Sequence, residues 1–402
     1  MTERLLFDGL KVIDCASYIA APAAATVMSD FGADVIKIEP PGAGDPYRNR
    51  AQTPATGYVH PVSPNWVLDN RNKRGLALNL ATEPGQAVLR RLVADADVFI
   101  TNFPPPVRRA LRITHEDLAP LNERLIYGSF TGYGETGPEA DKPGFDATAW
   151  WARSGLMHLV RAGESTVPAR SLAGMGDHPS AMAMYAAIVT ALYQRERTGR
   201  GGQCGSSLLM NGLWANGCQV QAALCGETVS VQPERARASG PLRNLYRCAD
   251  GRWLLLSIVG DDRRWSRVRE TLASDLLDDP RFASPHGRAE HAVALTAALD
   301  VIFGERPLAE WRAILDASGL VFGIVSEMDD IPHDAQMRES GALVPFHDEE
   351  LLTVTSPFWV EGQEKVAPRH APHVGEHSDA VLRDAGYAED EIGAMRAADI
   401  VG

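Results

Sequence analysis

Short apolar runs and longer apolar stripes take turns along the first half of this chain. The run at 10–16 reads as a strand, 22–33 as a helix opened by Pro22, and 34–40 as a second strand, which together make a β-α-β opening. A helix is expected from about Thr82, whose hydroxyl can cap it, to Ala96, followed by strand candidates at 97–103 and 126–131. Strands that alternate with helices imply a parallel sheet covered on both faces.

From Pro179 a helical pattern runs to about Glu196 and stops at the glycine-rich stretch that ends at Gln203; a second apolar helical stretch covers 206–226. The polar segment 227–241 reads as a linker. Beyond it, the run at 250–260, helix candidates at 287–303 and 307–317 and a strand candidate at 320–326 make a smaller α+β unit. A polar helical tail occupies 375–401, and no internal repeat is visible.

Charge narrows the choice of partners. The 402 residues carry 39 Lys and Arg against 52 Asp and Glu, a net charge of -13, so the whole molecule has no general attraction for a phosphate backbone and nucleic acid is not an expected partner. No stretch approaches the roughly 20 apolar residues of a bilayer span, and the N-terminus has no leader pattern, so a cytoplasmic protein without a membrane partner is expected. Five cysteines without a CxxC pair argue against a disulfide framework and a structural zinc site, and no metal site is expected.

Several familiar motifs fail on context. Gly132–Gly137 fits GxGxxG after a strand candidate, but the residues that follow cannot open a helix, and a pyrophosphate needs a helix N-terminus there. No GxSxG elbow, HExxH pair or Walker loop is present. What remains is Asp177, flanked by Gly174 and Gly176 just before the Pro179 helix. As a cap of that helix, Asp177 or His178 would contribute about 1 kcal/mol, and spacing alone favours this reading. The same turn also suits a carboxylate nucleophile, ionised at neutral pH without a general base and approachable across glycine.

Two basic clusters stand out in an acidic chain, one of Arg71, Lys73 and Arg74 and one of Arg108, Arg109 and Arg112. Either they are a solvated surface or they form a local anion site at the carboxyl edge of the sheet. Trp150 and Trp151, adjacent on a helix, should point about 100° apart, one into the core and the other free to line a pocket.

Taken in order, these residues resemble the class III CoA-transferase family, the formyl-CoA and carnitine-CoA transferase type. The carriers are the opening 6–48, the segments "NRNKRGLALNL", "ADVFITNF" and "GYGETGPEADKPGFD", the turn "GMGD", then "RTGRGG", "DGRW" and the terminal "GEHSD". Each is weak alone, and the set spans nearly the whole chain.

The resemblance implies a Rossmann-like large domain with a parallel sheet, formed by both chain ends, a smaller α+β domain, and an interlocked homodimer. On this scheme 1–200 is the N-terminal part of the large domain, 201–240 a connecting helix and linker, 241–328 the small domain, and 329–402 a return linker and the C-terminal part of the large domain. It further implies that Asp177 is the catalytic carboxylate. The CoA site would include Ile19, Ala20, Leu78, Ala81, Asn102, Phe103, Lys142 and Phe145. Arg109 would stand in for a family arginine that falls on Ala110, while another falls on Pro40. Ile19 replaces a glutamine of the formyl-CoA enzymes, which argues against formyl or oxalyl specificity.

The implied reaction moves CoA from an acyl-CoA thioester, succinyl-CoA being the expected donor, to a small organic acid, through an aspartyl anhydride and an aspartyl-CoA thioester and with no cofactor beyond the CoA thioesters themselves. Two rivals remain. An α-methylacyl-CoA racemase of the same fold would need a histidine where this chain has Phe145, with His178 a conceivable substitute. A non-catalytic CoA-binding protein would share the fold without the chemistry, against which Asp177 counts.

Overall fold

A computed structural model describes residues 5–48, 63–259, 262–347 and 351–402, with the side chains of 262 and 263 left out. Six parallel strands form the main sheet: β1 (Lys11–Asp14), β2 (Asp34–Glu39), β3 (Arg74–Ala77), β4 (Val98–Thr101), β5 (Ile126–Thr131) and β6 (Gly202–Ser207). Their order is β3-β2-β1-β4-β5-β6, with Val12 of β1 opposite Val35 on one side and Val98 on the other. Chain order thus reverses between β1 and β4. Ligands of open α/β sheets bind in the crevice that opens at the carboxyl ends of such a strand pair.

The central strands are buried on both faces, which explains why β1, β2, β4 and β5 read as apolar runs rather than alternations. One core joins Ile13, Ile36, Leu76, Phe99 and Tyr127 to Leu89 and Val93 of the Glu83–Ala94 helix and to Val381, Leu382, Ile392 and Val401 from the chain's far end. Leu78 pairs with Val401 in an antiparallel bridge. The helix Ala20–Asp30 is buried at every residue, and its alanines let the long helix Asp177–Thr198 pack against it. Pro22 is its third residue and costs nothing there, because first-turn amides have no intrahelical partner.

β6 falls within 201–240, a range expected to hold only a connecting helix and linker. Its Gly-Gln-Cys-Gly-Ser-Ser sequence has no apolar run because it is an edge strand that pairs with β5 through its backbone. A Cβ on Gly205 would stand 2.4 Å from the Ser129 carbonyl oxygen, so the glycine is what allows the close pairing. Beyond β6 the helical stretch is broken at Asn216 into Leu208–Ala215 and Gly217–Leu224.

The chain divides into two compact units, residues 1–156, 170–226 and 335–402, and residues 157–169 and 227–334. The boundaries expected at 200 and 240 therefore move. Residues 201–226 stay with the first unit because β6 and the helix after it pack on β5 and the long helix, while 157–169 joins the second. The second unit has a three-stranded antiparallel sheet of Leu245–Arg247, Trp253–Leu256 and Phe322–Ile324. Its helices Asp262–Leu272, Ala292–Phe303 and Leu308–Ser318 close a core around Tyr246, Leu256, Phe303 and Trp311. Among the described residues no helix is long and apolar enough to cross a membrane, and no group of three or more His, Cys, Asp or Glu side chains is arranged to hold a metal.

Candidate active site

The crevice between β1 and β4 is closed by a reciprocal pair of hydrogen bonds. The Ser17 amide donates to Asn102 Oδ1 at 2.9 Å, and Asn102 Nδ2 donates to the Ser17 carbonyl at 2.6 Å. One asparagine thereby ties the turn after β1 to the turn after β4. The next residue, Tyr18, has φ +62, a left-handed conformation that costs a non-glycine residue roughly 1–2 kcal/mol. Its amide donates to Asp45 Oδ1 at 3.3 Å, and its ring lies edge-on to Phe145, centroids 5.9 Å apart.

Beneath this turn lies a buried charge network. Lys37 Nζ is 3.2 Å from Asp45 Oδ2 and 3.7 Å from Asp14 Oδ1, and Lys73 Nζ donates at 2.8 Å to Asp14 Oδ2 and to the carbonyls of Pro22 and Asp69. Burial works against the charge on Lys37, but the Asp14 and Asp45 carboxylates outweigh it and raise its pKa. Lys73 goes the other way, pushed down to about 8 by burial, with Asp14 opposing and the Lys37 charge adding to the fall. Removing any one of these groups would leave a buried charge without its partner.

The Asp177 turn is built differently. Gly176, not Asp177 or His178, is the N-cap of the long helix, and no side chain caps it; Asp177 is the first helical residue and partly exposed. The cap reading of Asp177 is therefore set aside, because Gly176 already has helical dihedrals and the helix begins immediately after it. First-turn amides favour negative charge at such a position.

Each flanking glycine makes room for a side chain of the protein, although Gly174 also borders the cavity. A Cβ on Gly176 would be 2.6 Å from Cγ of Trp150, and one on Gly174, where φ is +79, would be 3.0 Å from Cε1 and Nδ1 of His178. Each glycine admits a ring of the protein itself. Trp150 and Trp151, expected to point apart, are both buried and stack with centroids 5.8 Å apart and planes 8° from parallel. They lie in a π-helical turn, Asp146–Ala152, whose wider winding departs from the 100° spacing of an α-helix.

These turns enclose a cavity of about 450 Å³. Of the residues singled out in the sequence, Ile19, Ala20, Asn102, Phe103, Lys142, Phe145 and Asp177 line it, although they come from four separate segments of the chain. Leu78 and Ala81 do not; they line a neighbouring cavity of about 230 Å³ together with Pro40, and Phe103 borders both. Arg109 borders a third hollow, of about 310 Å³, and pairs on the surface with Asp141 at 3.2 Å. The lining is mostly apolar, and its cation, Lys142, donates to Glu139 at 2.9 Å.

The basic clusters do not form an anion site. Arg71 is buried on Asp30 at 2.6 Å, Lys73 on Asp14, and Arg74 bridges Asp34 and Asp384. Arg108 meets Glu135 and Arg112 meets Glu83. In an acidic chain each of these cations already meets a carboxylate, so neither cluster presents a set of unpaired cations to a ligand.

Four residues of the site carried no signal of their own in the sequence. Tyr18 and Ser17 were within reach, since the first β-α turn of such a sheet always borders the crevice. Tyr47 and Asp69 were not, for they act only through contacts with residues far away in the chain.

The CoA-transferase family III model matches residues 7–378 of this chain. The chain is 30% identical to a (R)-2-hydroxy-4-methylpentanoate CoA-transferase of Clostridioides difficile over 99% of its own length and 100% of that protein. It is 29% identical to a succinyl-CoA:glutarate CoA-transferase of Mus musculus, covering 94% of this chain and 86% of the relative. Among solved structures it is similar to a CAIB/BAIF family protein from Brucella suis, with a TM-score of 0.84, 26% identity, and 95% of this chain and 100% of the other covered.

Proposed function

The chain belongs to CoA-transferase family III, and from that premise we propose that Asp177 is the carboxylate that carries acyl and CoA groups between two acids. The observation that carries this reading is the place of Asp177. It lies on the wall of the cavity at the β1–β4 switch point, at the start of a 22-residue helix, among six residues expected for a CoA site.

In the reaction we propose, the Asp177 carboxylate attacks the acyl carbon of the donor thioester. The C–S bond breaks, leaving an aspartyl-acyl anhydride and CoA thiolate. The thiolate attacks the aspartyl carbonyl, releasing the donor acid and leaving an aspartyl-CoA thioester. The acceptor carboxylate then displaces the thiolate to form a second anhydride, and attack by the thiolate on the acceptor's carbonyl yields the new acyl-CoA and restores Asp177. Every step passes one activated acyl bond to the next. The balance needs neither ATP, nor a metal, nor a redox cofactor.

For the pantetheine arm we propose the apolar wall of Ile19, Ala20, Asn102, Phe103, Lys142 and Phe145. Phe103 leads from it to Leu78 and Ala81, where the nucleotide end would lie, and Arg109, once it leaves Asp141, is the proposed cation for that end. Succinyl-CoA remains the proposed donor, supported by the succinyl-CoA:glutarate CoA-transferase of mouse among the relatives; its distal carboxylate, like that of a dicarboxylate acceptor, would take Lys142 from Glu139. For the acceptor we propose a small organic acid, and an apolar or aromatic body suits the mostly apolar lining. An interlocked homodimer belongs to the same proposal, supported by Met210, Trp214 and Leu224, large apolar side chains exposed on consecutive helices of the first unit.

The racemase rival is weakened on two counts. Phe145 has no proton to carry, and both ring nitrogens of His178 are already bonded, to Asp69 and to the Gly174 carbonyl.

The test is chemical trapping. With acyl-CoA and hydroxylamine or borohydride, mass spectrometry should find modification of the Asp177 peptide. No adduct, together with unchanged turnover in Asp177→Ala, would refute the transferase mechanism, and deuterium exchange at the acyl α-carbon would favour the racemase. A panel of carboxylates assayed with succinyl-CoA, with light-scattering mass on the same sample, decides the acids and the oligomer.

A further inference from the structure

His178 makes two polar contacts with its ring. Nε2 lies 2.9 Å from Asp69 Oδ1, and Nδ1 lies 3.2 Å from the Gly174 carbonyl oxygen. A carboxylate and a carbonyl only accept, whereas a neutral imidazole has a single N–H. Both contacts are satisfied only when the ring carries two protons and a positive charge.

The surroundings enforce this arrangement. Asp69 is 1% exposed, and its second oxygen accepts from the Tyr47 hydroxyl at 2.9 Å, so its carboxylate is fixed in place. The ring fits over residue 174 only because that residue is glycine. The charged groups facing the ring are Asp69, from the helix Pro64–Asn70, and Asp177, on its own helix. Burial opposes the imidazolium, but the hydrogen bond and charge of Asp69, then Asp177, then the Gly174 carbonyl, outweigh it, and the pKa of His178 is raised.

We infer that His178 is a positioning residue for the transfer reaction: an imidazolium, clamped between Asp69 and Gly174, that pins the Gly174–Asp177 turn and places a fixed positive charge beside the Asp177 carboxylate. The inference rests on the reading of Asp177 as the nucleophile. Its function is to hold that carboxylate ionised and aimed at the cavity while the ring itself exchanges no proton with substrate. Tyr47 and Asp69 extend the clamp to the loop after β2 and to the Pro64–Asn70 helix.

The test compares wild type with Asp69→Asn, which keeps the shape of the site and removes the countercharge, and with His178→Gln, which cannot ionise. Folding of each is checked by thermal unfolding. In Asp69→Asn the alkaline midpoint of kcat should fall by about one pH unit or more. His178→Gln should lose about tenfold in kcat, the equivalent of one such unit, with that alkaline limb gone. Nitrogen NMR of labelled histidine, with the signal assigned by its absence from His178→Gln, should show both ring nitrogens protonated at neutral pH in wild type and one in Asp69→Asn. Identical pH profiles in all three proteins, or a neutral His178 in wild type, would overturn the inference. Trapping separates the two failures: absence of a wild-type adduct on Asp177 defeats the nucleophile, whereas an adduct formed equally fast in all three proteins defeats only the clamp.

Discussion

The two turns that meet at the cavity are held by opposite means. The turn after β1 is secured by polar partners: Asn102 grips Ser17, and Asp45, itself held by Lys37, grips the strained Tyr18. The Asp177 turn depends first on missing side chains, since Gly174 and Gly176 admit the His178 and Trp150 rings against the backbone, and only then can His178 reach Asp69. The first is therefore loosened by deleting a hydrogen-bonding group and the second is broken by adding a carbon. A glycine beside a catalytic residue need not mean room for a ligand.

The largest effect should come from the group that both turns serve. Asp177→Asn should lower kcat by about four orders of magnitude, the usual scale for a nucleophile, with thermal unfolding unchanged. Retained turnover would remove the reason for comparing the turns at all.

Gly176→Ala comes next. Its methyl group would stand 2.6 Å from the Trp150 ring, and the resulting overpacking should cost roughly 1–3 kcal/mol, read as a lower denaturant midpoint together with reduced activity. Asn102→Ala should cost less, about 1–2 kcal/mol for two lost hydrogen bonds, and should act chiefly by raising KM for the thioester. If Asn102→Ala proved the more damaging to stability, the contrast between the turns would be inverted.

The smallest effect is a pH dependence of stability. The pKa of His178 is raised above its ordinary 6.5 by the folded structure, Asp69 prevailing over burial. Its stabilising contribution is therefore full below that ordinary value and is lost as pH rises through the folded value. Urea unfolding of wild type and His178→Gln should differ most in mildly acidic solution and converge as pH climbs; a constant difference would mean that the ring acts by packing alone.

Legibility in the sequence followed the physics of each element. β1, β2, β4 and β5 are buried on both faces, so their apolar runs announced them. β6 was missed because an edge strand of glycine and serine contributes only backbone. β3, short, opening on Arg74 and preceded by two more cations, looks like surface in the sequence, whereas Lys73 and Arg71 lie inside. The helix Ala292–Phe303 was legible from its apolar content, but its start was placed five residues early because Pro285–Glu290 is a separate turn of helix.

The candidate site divides in the same manner. Motif order along the chain was enough to single out Asp177, Ile19, Asn102, Phe103, Lys142 and Phe145, and the cavity brings them together. The resemblance of the ordered motifs carried that information; the composition of each turn alone did not.

What the sequence by itself determined, then, is the alternation of strand and helix and the family to which the chain belongs, and it singled out Asp177 as the candidate carboxylate. What only the tertiary structure decided is the fate of charges and rings. Arg71 and Lys73 became internal, Trp150 came to rest on Gly176, and His178 acquired Asp69, 109 positions away in the chain. Periodicity and turn chemistry are local and can be read along the chain. Whether a charge is paired depends on which distant groups folding brings within about 3 Å, the reach of a hydrogen bond, and no local pattern encodes that.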